Sequence, residues 1–367
     1  MKNIKLLNRF SKTFLYICYV NKKLNLFNLP IMKKITMKDI ALKADVSVST
    51  VSFVLNNIGE KMGISTAVIN KVLLVAQDLN YKPNMIASSL RTGETRSIGL
   101  IVEDISNQFF SDLAKVVEDE ARRLNYRVFY CSTGADDQRA EELVNSLLQA
   151  NVDGFIIAPT EKLEKSIDNL LKMHVPVVLI DRYFPGQLVS TVVMDNYEGA
   201  YLVTKKMMDA GCRHIAAINV NSGMIQMKLR ESGYENLLKE KGIFDESLVL
   251  RVDFQDTETE KIRIIRDFLK MHPQIDGLLF LSNYLGLCGL QAFRQLGIEI
   301  PRDIRVASFD DHDSFRLHTP SISVVAQPIE AMAKKAINLL VAQMTAGKQP
   351  EIENIMLKGN FVERESV

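Results

Sequence analysis

The sequence predicts a small all-α module followed by a two-lobed α/β domain built on doubly wound parallel sheets. Three observations predict it. Residues 36–90 carry short runs at helical spacing broken by turn residues, and from Ser97 onward short apolar runs alternate with helical stretches. Charge is also divided: residues 1–96 hold 15 Lys and Arg against 5 Asp and Glu, whereas residues 97–367 hold 30 against 39. The basic end is the expected nucleic-acid end. A chain of 367 residues that is 47% hydrophobic and 24% charged is ordinary for a soluble protein with one large core and an appended module.

In the first module, Met37–Ala44 sets Ile40, Ala41 and Ala44 on one helical face, and Asp45-Val46-Ser47 interrupts it. A second short helix, Val48–Leu55, is expected to bury Val51, Val54 and Leu55 and to leave Val48, Ser49, Ser52 and Phe53 toward solvent. Ser47, Ser49, Thr50 and Ser52 place four hydroxyls within six positions. Such a density suits phosphate oxygens and base edges, although hydroxyls also cap ordinary surface helices. A third helix is capped by Ser65, with Val68, Ile69, Val72, Leu73, Ala76 and Leu79 at helical spacing. Tyr81-Lys82-Pro83 stops it. Asn84, Ala87 and Leu90 then share a face of a helix too short to be stable alone, one that needs a copy of itself and DNA to form.

Ala41, Ala44, Val46, Ser47, Thr50, Val51, Ser52, Leu55 and Asn56, followed by Asn84, Ala87 and Leu90, resemble the headpiece and hinge signature of LacI/GalR-type transcription regulators. The resemblance implies a helix-turn-helix headpiece that reads the major groove through Ser47, Val48, Ser49, Thr50, Ser52, Phe53 and Asn56. It also implies a hinge at Asn84, Ala87 and Leu90, with Leu90 wedged into the minor groove; a buried linker leucine is the other reading of Leu90. Three positions depart from the family pattern. Asp45 replaces the usual Gly or Asn in the turn, Phe53 stands where many relatives carry Arg, and the loop Asn57–Ile64 is longer by about three residues. Phenylalanine offers only apolar contact, for instance to a thymine methyl, which puts guanine readout there in doubt.

From Ser97 onward, Ile98–Val102, Arg127–Cys131, Gly154–Ala158, Pro176–Ile180 and Val192–Met194 read as buried strands, with helices such as Ser111–Leu124 and Arg139–Ala150 between them. A second series has strands near Ile215–Ile218, Gly277–Leu281 and Ile304–Ser308, and helices near Tyr197–Ala210, Arg230–Lys241, Glu258–Lys270 and Leu287–Leu296. The span exceeds what one sheet needs, which implies two lobes. It resembles the periplasmic-binding-protein-like effector domain of the same regulators, including the stretches IPRDIRVASFDD and PSISVVAQP. The expected organisation is an extension at 1–31, a headpiece at 32–83, a hinge and linker at 84–96, and a two-lobed effector-binding and dimerisation domain at 97–367.

Ligands of open parallel sheets bind beyond the carboxyl ends of strands, so residues just after strands are the candidates. The loop Asp104–Phe110 supplies Asn107, Phe109 and Phe110, the two rings serving either effector stacking or the core. Asp181 and Arg182 end one strand, and Asp195 and Asn196 another. The resemblance implies that such groups bind hydroxyls, that Arg230 reaches the ligand from the second lobe, and that Asn283 and Asp310 complete the set. Arg230 as a surface residue at a helix start is the alternative. Tyr284 replaces the usual Asp, and Asp311 is expected to be structural. A sugar or sugar derivative fits this set, with a purine or other metabolite still open.

Asp310, Asp311, His312 and Asp313 are adjacent on a turn and lack a partner His or Cys at ligand spacing, so no metal is expected, and no cofactor. No phosphate-cradling glycine loop, GxSxG or HExxH occurs, and no enzyme is expected. Cys18, Cys131, Cys212 and Cys288 are scattered, as reduced thiols of a cytoplasmic protein would be. The first 31 residues hold six basic and no acidic side chains, and their apolar run Phe14–Val20 is too short to span a bilayer. They read as a disordered extension or as sequence upstream of a start at Met32. The expected function is a repressor that binds a palindromic double-stranded DNA operator as a homodimer under control of a small-molecule effector, with no membrane role. The alternative is a sugar carrier without a DNA role.

Overall fold

The computed structural model describes residues 35–82, 93–345 and 351–367. The chain divides into two compact units, Met1–Ser88 and Ser89–Val367.

In the first unit, α1 (Met37–Ala44), α2 (Val48–Leu55) and α3 (Thr66–Asp78) enclose a core of Ile40, Ala41, Ala44, Val51, Val54, Val72 and Ala76. Asp39 accepts from the backbone N–H of Thr36 at 2.8 Å and from its hydroxyl at 2.7 Å, which fixes the start of α1. Asp45 ends α1 with φ 54° and ψ 53°, a left-handed conformation that Asp adopts more readily than most residues. Ser47 caps α2 by accepting from the Thr50 N–H at 3.1 Å. Two details differ from expectation. Leu55 is only half-buried, and Leu73 faces solvent while Val75 packs against the core in its place, because α3 presents a narrower face to two short helices than its apolar spacing suggests. The lengthened loop after α2 contains a single 3-10 turn, Glu60–Met62. Gly59 is buried there, and a side chain at that position would meet Ile69 at 3.2 Å. Asn84, Ala87 and Leu90 lie outside the described residues, as does Cys18.

The second unit holds two six-stranded sheets of the same order. The first lobe contains β1 (Ser97–Val102), β2 (Arg127–Ser132), β3 (Gly154–Ile157), β4 (Val177–Ile180), β5 (Ser190–Met194) and β11 (Asn354–Leu357), ordered β11-β5-β4-β3-β1-β2 and parallel throughout. The second contains β6 (Ile215–Asn221), β7 (Val249–Asp253), β8 (Gly277–Phe280), β9 (Arg305–Phe309), β10 (Ser323–Ala326) and β12 (Asn360–Val362), ordered β12-β10-β9-β8-β6-β7. Only the edge strand β12 pairs antiparallel there. The helices are α4 (Gln108–Arg123), α5 (Asp137–Gln149), α6 (Glu164–Lys172), α7 (Asn196–Asp209), α8 (Ile225–Glu240), α9 (Glu258–Met271), α10 (Asn283–Leu296), α11 (Asp313–Leu317) and α12 (Ile329–Thr345).

The chain passes between lobes three times. After β5 it enters α7, which packs in the second lobe; after β10 it returns as α12 against β3, β4 and β5; and between β11 and β12 it crosses again. Asp310 therefore follows β9, one strand before a crossover. Both lobes stitch strand starts together with the same device. Asp153, before β3, accepts from the backbone N–H groups of Thr95 (2.8 Å) and Arg96 (2.7 Å), while Asp276, before β8, accepts from those of Arg213 (2.8 Å) and His214 (2.9 Å). β2 is an edge strand and not a buried one: it pairs only with β1, and Phe129 and Tyr130 stay exposed.

Candidate functional site

On the first unit, Ser47, Val48 and Ser49 are exposed, and Thr50, Ser52 and Phe53 are half-buried. Part of the hydroxyl density is spent internally. The Ser47 and Thr50 hydroxyls lie 2.8 Å apart, and the exposed Asn56 donates its amide to the Ser52 carbonyl at 2.7 Å. Ser49 and Val48 stand outward at the first turn of α2, the end that a recognition helix presents to base edges. Residues 35–82 carry five Lys and four Asp and Glu, so most of the basic excess of residues 1–96 lies on either side of them.

In the second unit, the carboxyl ends of the strands of both lobes face one cleft with a cavity volume of about 500 Å³, within the usual range for small-molecule sites. Asn107, Phe109, Phe110, Asp181, Arg182, Arg230, Asn283 and Asp310 all line it. Phe109 and Phe110 sit on the first turn of α4, which begins before the expected Ser111 because the Asn107 side chain accepts from the Phe109 N–H at 3.0 Å. Their rings meet edge to face at 4.9 Å, and they both fill the first lobe's core and line the cleft.

Arg182, 5% exposed, is held between two carboxylates: its Nε donates to Asp181 at 2.8 Å and a terminal nitrogen to Glu103 at 2.9 Å. These partners hold the guanidinium charge against the burial that opposes it. Arg230 is buried inside α8, which starts at Ile225, and is not a surface residue at a helix start. It donates to Asn196 Oδ1 and to the Leu281 carbonyl, both at 2.7 Å, stacks on Phe309 at 4.2 Å, and lies 3.9 Å from Asp310. Gln327 donates to Asp310 at 2.7 Å. Burial pushes the Asp310 carboxyl above its usual range, with Arg230 and Gln327 opposing and Asp181 and Glu103 adding to the rise.

Asp195 and Asn196 stand outside the wall of the cleft. Asp195 caps α7 through the Glu198 N–H at 3.0 Å, and Asn196, buried, orients Arg230. The short apolar end of β5 feeds directly into α7, so the first polar residues after this strand act as a cap and a brace. Asp311 ties down the C-terminal segment by accepting from Arg364 at 2.8 and 2.9 Å.

Sequence reasoning missed Glu103, Gln327, Thr160, Gln226 and Phe254, whose ring meets that of Tyr284, the expected departure from the family's Asp, edge to face at 6.0 Å. Glu103, Phe254 and Gln327 directly follow the ends of β1, β7 and β10 and fit the strand-end rule; Thr160 reaches the cleft from a loop and Gln226 from the first turn of α8. The lobes touch through side chains. Asn107 and Asn283 exchange amide hydrogen bonds of 3.3 and 3.1 Å, and Glu161 accepts from the Ser222 hydroxyl at 2.8 Å and the Gly223 N–H at 2.5 Å.

Among the described residues no group of three or more His, Cys, Asp or Glu is placed to hold a metal ion. Burial pushes the Cys212 and Cys288 thiols up to about 11, which leaves them protonated and poor nucleophiles at neutral pH. No helix among the described residues is long and apolar enough to cross a membrane.

Residues 36–84 match the family described as bacterial regulatory proteins, lacI family, and residues 204–367 match the periplasmic binding protein-like domain. The chain is 32% identical over 309 residues to a protein named Ribose operon repressor from Halalkalibacterium halodurans, covering 84% of this chain and 90% of that one. Its fold matches a transcriptional regulator CelR–cellobiose complex with a TM-score of 0.68 and 26% identity, over 91% of this chain and 100% of the other. A lac repressor dimer bound to operator and the anti-inducer ONPF matches with a TM-score of 0.80 at 20% identity, over 91% and 99% of the two chains, a likeness of fold. The chain belongs to the lacI family of bacterial regulatory proteins and is a helix-turn-helix transcriptional regulator with a periplasmic-binding-protein-like domain.

Proposed function

We propose that the protein is a repressor that binds a palindromic operator as a homodimer and is controlled by a sugar bound in the cleft of its second unit. The observation that carries this reading is the cleft itself. Carboxylates, two buried arginines and paired amides converge beside aromatic rings, a set that recognises hydroxyls and the apolar face of a sugar ring. The names of the relatives support it, one being a Ribose operon repressor and another a complex with cellobiose.

In this reading Ser47, Val48, Ser49, Thr50, Ser52, Phe53 and Asn56 face the major groove, and Asn84, Ala87 and Leu90 form the hinge. Asn107, Phe109, Phe110, Asp181, Arg182, Arg230, Asn283 and Asp310 contact the effector, with Asn196 bracing Arg230; Asp195 is a cap. The domain boundaries are those of the sequence: headpiece 32–83, hinge and linker 84–96, effector and dimerisation domain 97–367. The cleft binds without turnover, and the protein acts in the cytoplasm, where its operator is.

Control follows from differential affinity. A ligand that favours one arrangement of the lobes changes operator affinity to the extent that it prefers that arrangement. Footprinting of the protein on its own promoter region, with a salt titration, tests the DNA half of the reading. A protected palindrome whose affinity falls steeply with salt is expected, and its absence overturns the proposal.

A further inference from the structure

We propose that the cleft selects an unphosphorylated, uncharged sugar and rejects the phosphorylated form of the same sugar, with Thr160, Gln226 and Gln327 as specificity-determining residues. The inference rests on the sugar reading above and narrows its ligand class.

Charge gives the first argument. Seven carboxylates line the cleft against three cations. Both deep cations already stand beside carboxylates, Arg230 lying 3.9 Å from Asp310. Arg182 is held by Asp181 at 2.8 Å and Glu103 at 2.9 Å, while Arg230 donates to Asn196 and the Leu281 carbonyl and packs on Phe309. The third, Lys162, is exposed and stands 3.9 Å from Asp137. A phosphate monoester carries about −1.5 to −2 charges at pH 7 and is recognised by free guanidinium, ammonium or N–H donors. Here it would meet Asp181, Glu103 and Asp310 instead.

Hydrogen-bond polarity gives the second. Thr160 Oγ1, Gln226 Oε1 and Gln327 Oε1 are buried in the wall of the cleft and have no partner within the protein, on residues 3%, 6% and 9% exposed. Buried polar atoms of this kind are normally hydrogen-bonded. The two carboxamide oxygens can only accept, so the group that satisfies them must donate. A sugar hydroxyl donates; a phosphate dianion does not, so a phosphoryl group placed against these oxygens would leave them unpartnered while adding charge beside three carboxylates. The Gln327 amide cannot turn over without losing its bond to Asp310 at 2.7 Å, so its oxygen stays directed as it is.

The test is calorimetric titration of the full-length protein with free sugars and their phosphates: D-ribose and D-ribose 5-phosphate, D-glucose and D-glucose 6-phosphate, and cellobiose. The expected result is that a free sugar binds and that its phosphate binds about a hundredfold more weakly or not at all. Gln226→Leu and Gln327→Leu should each weaken the free sugar about fivefold and leave the phosphate unimproved, with thermal melts confirming folded variants. A phosphorylated sugar that binds as well as its free form, or better, overturns the selectivity while leaving the sugar reading intact. No binding by any compound in either form overturns the sugar reading itself and this inference with it. Unchanged free-sugar affinity in both folded variants removes the assignment of these residues.

Discussion

Asp181 and Asp310 occupy equivalent places in the two lobes. Each immediately follows the strand third in its sheet order, β4 or β9, each has left-handed backbone (φ 68° and 65°), and both carboxylates line the same cleft. A left-handed conformation costs a non-glycine residue about 1–2 kcal/mol. Holding two acids that way turns both carboxylates from the ends of the sheets onto one ligand space, which straight strand continuation would not do.

Asn at these positions keeps the tolerance for left-handed backbone, so Asp310→Asn isolates the charge. Because burial raises the Asp310 carboxyl above its ordinary value of about 3.9, the folded protein binds more protons than the unfolded chain between that value and the raised one. Its contribution to stability is present on the acid side and is lost as pH rises through the folded value. Urea unfolding followed upward in pH from the ordinary carboxylate range should show this falling component in the wild type and its removal in Asp310→Asn. Parallel profiles for the two proteins would show that another group titrates.

Arg182 is the counter-charge for the buried Asp181 and the half-buried Glu103. Arg182→Met leaves Glu103 and Asp181 unneutralised in the cleft wall and should destabilise the second unit by about 3–5 kcal/mol, read from chemical denaturation. Combining it with Glu103→Gln should recover part of that loss. A single variant as stable as the wild type would mean that solvent screens the two carboxylates without Arg182.

Asn107 and Asn283 link the lobes through reciprocal amide bonds at 3.3 and 3.1 Å. Asn283→Ala removes both bonds and a cleft-lining amide together. Effector affinity should fall by about 1–3 kcal/mol, roughly five- to 150-fold, in a direct titration. Unaltered affinity would place the pair outside the ligand's reach.

Phe53 is half-buried on the face of α2 that carries the hydroxyls. Phe53→Arg should shift base preference toward guanine at one position of each half-site by about 1–3 kcal/mol, measurable by selection from a randomised operator library. An unchanged preferred sequence would remove Phe53 from the DNA face.

Much of this arrangement is legible in the chain because it is local. The turn chemistry of Asp45 to Ser47, the Ser65 cap and the alternation of apolar runs with helices give the headpiece helices, five strands of the first sheet and three inner strands, β6, β8 and β9, of the second. Residues ending central strands, such as Asp181 and Asp310, are legible because the strand-end rule applies to them directly. The rule misleads at Asp195 and Asn196, where β5 runs straight into α7 and the polar residues cap and brace instead of lining the cleft. β7 and β12 lie at sheet edges, half-exposed, so their sequence lacks the continuous apolar run that marks a central strand. Thr160 and Gln226 reach the cleft from a loop and from a helix's first turn, and only the closing of two lobes on one another brings them together.

In the proposed function, occupancy of the cleft sets how firmly the headpiece holds DNA. Fluorescence anisotropy of a labelled operator fragment, recorded with and without a binding sugar for the wild type and for Arg230→Met, measures that coupling. Operator affinity should shift about five- to 150-fold for the wild type and not at all for Arg230→Met, with both proteins binding the fragment. An operator affinity indifferent to a sugar that saturates the wild-type cleft would contradict that coupling.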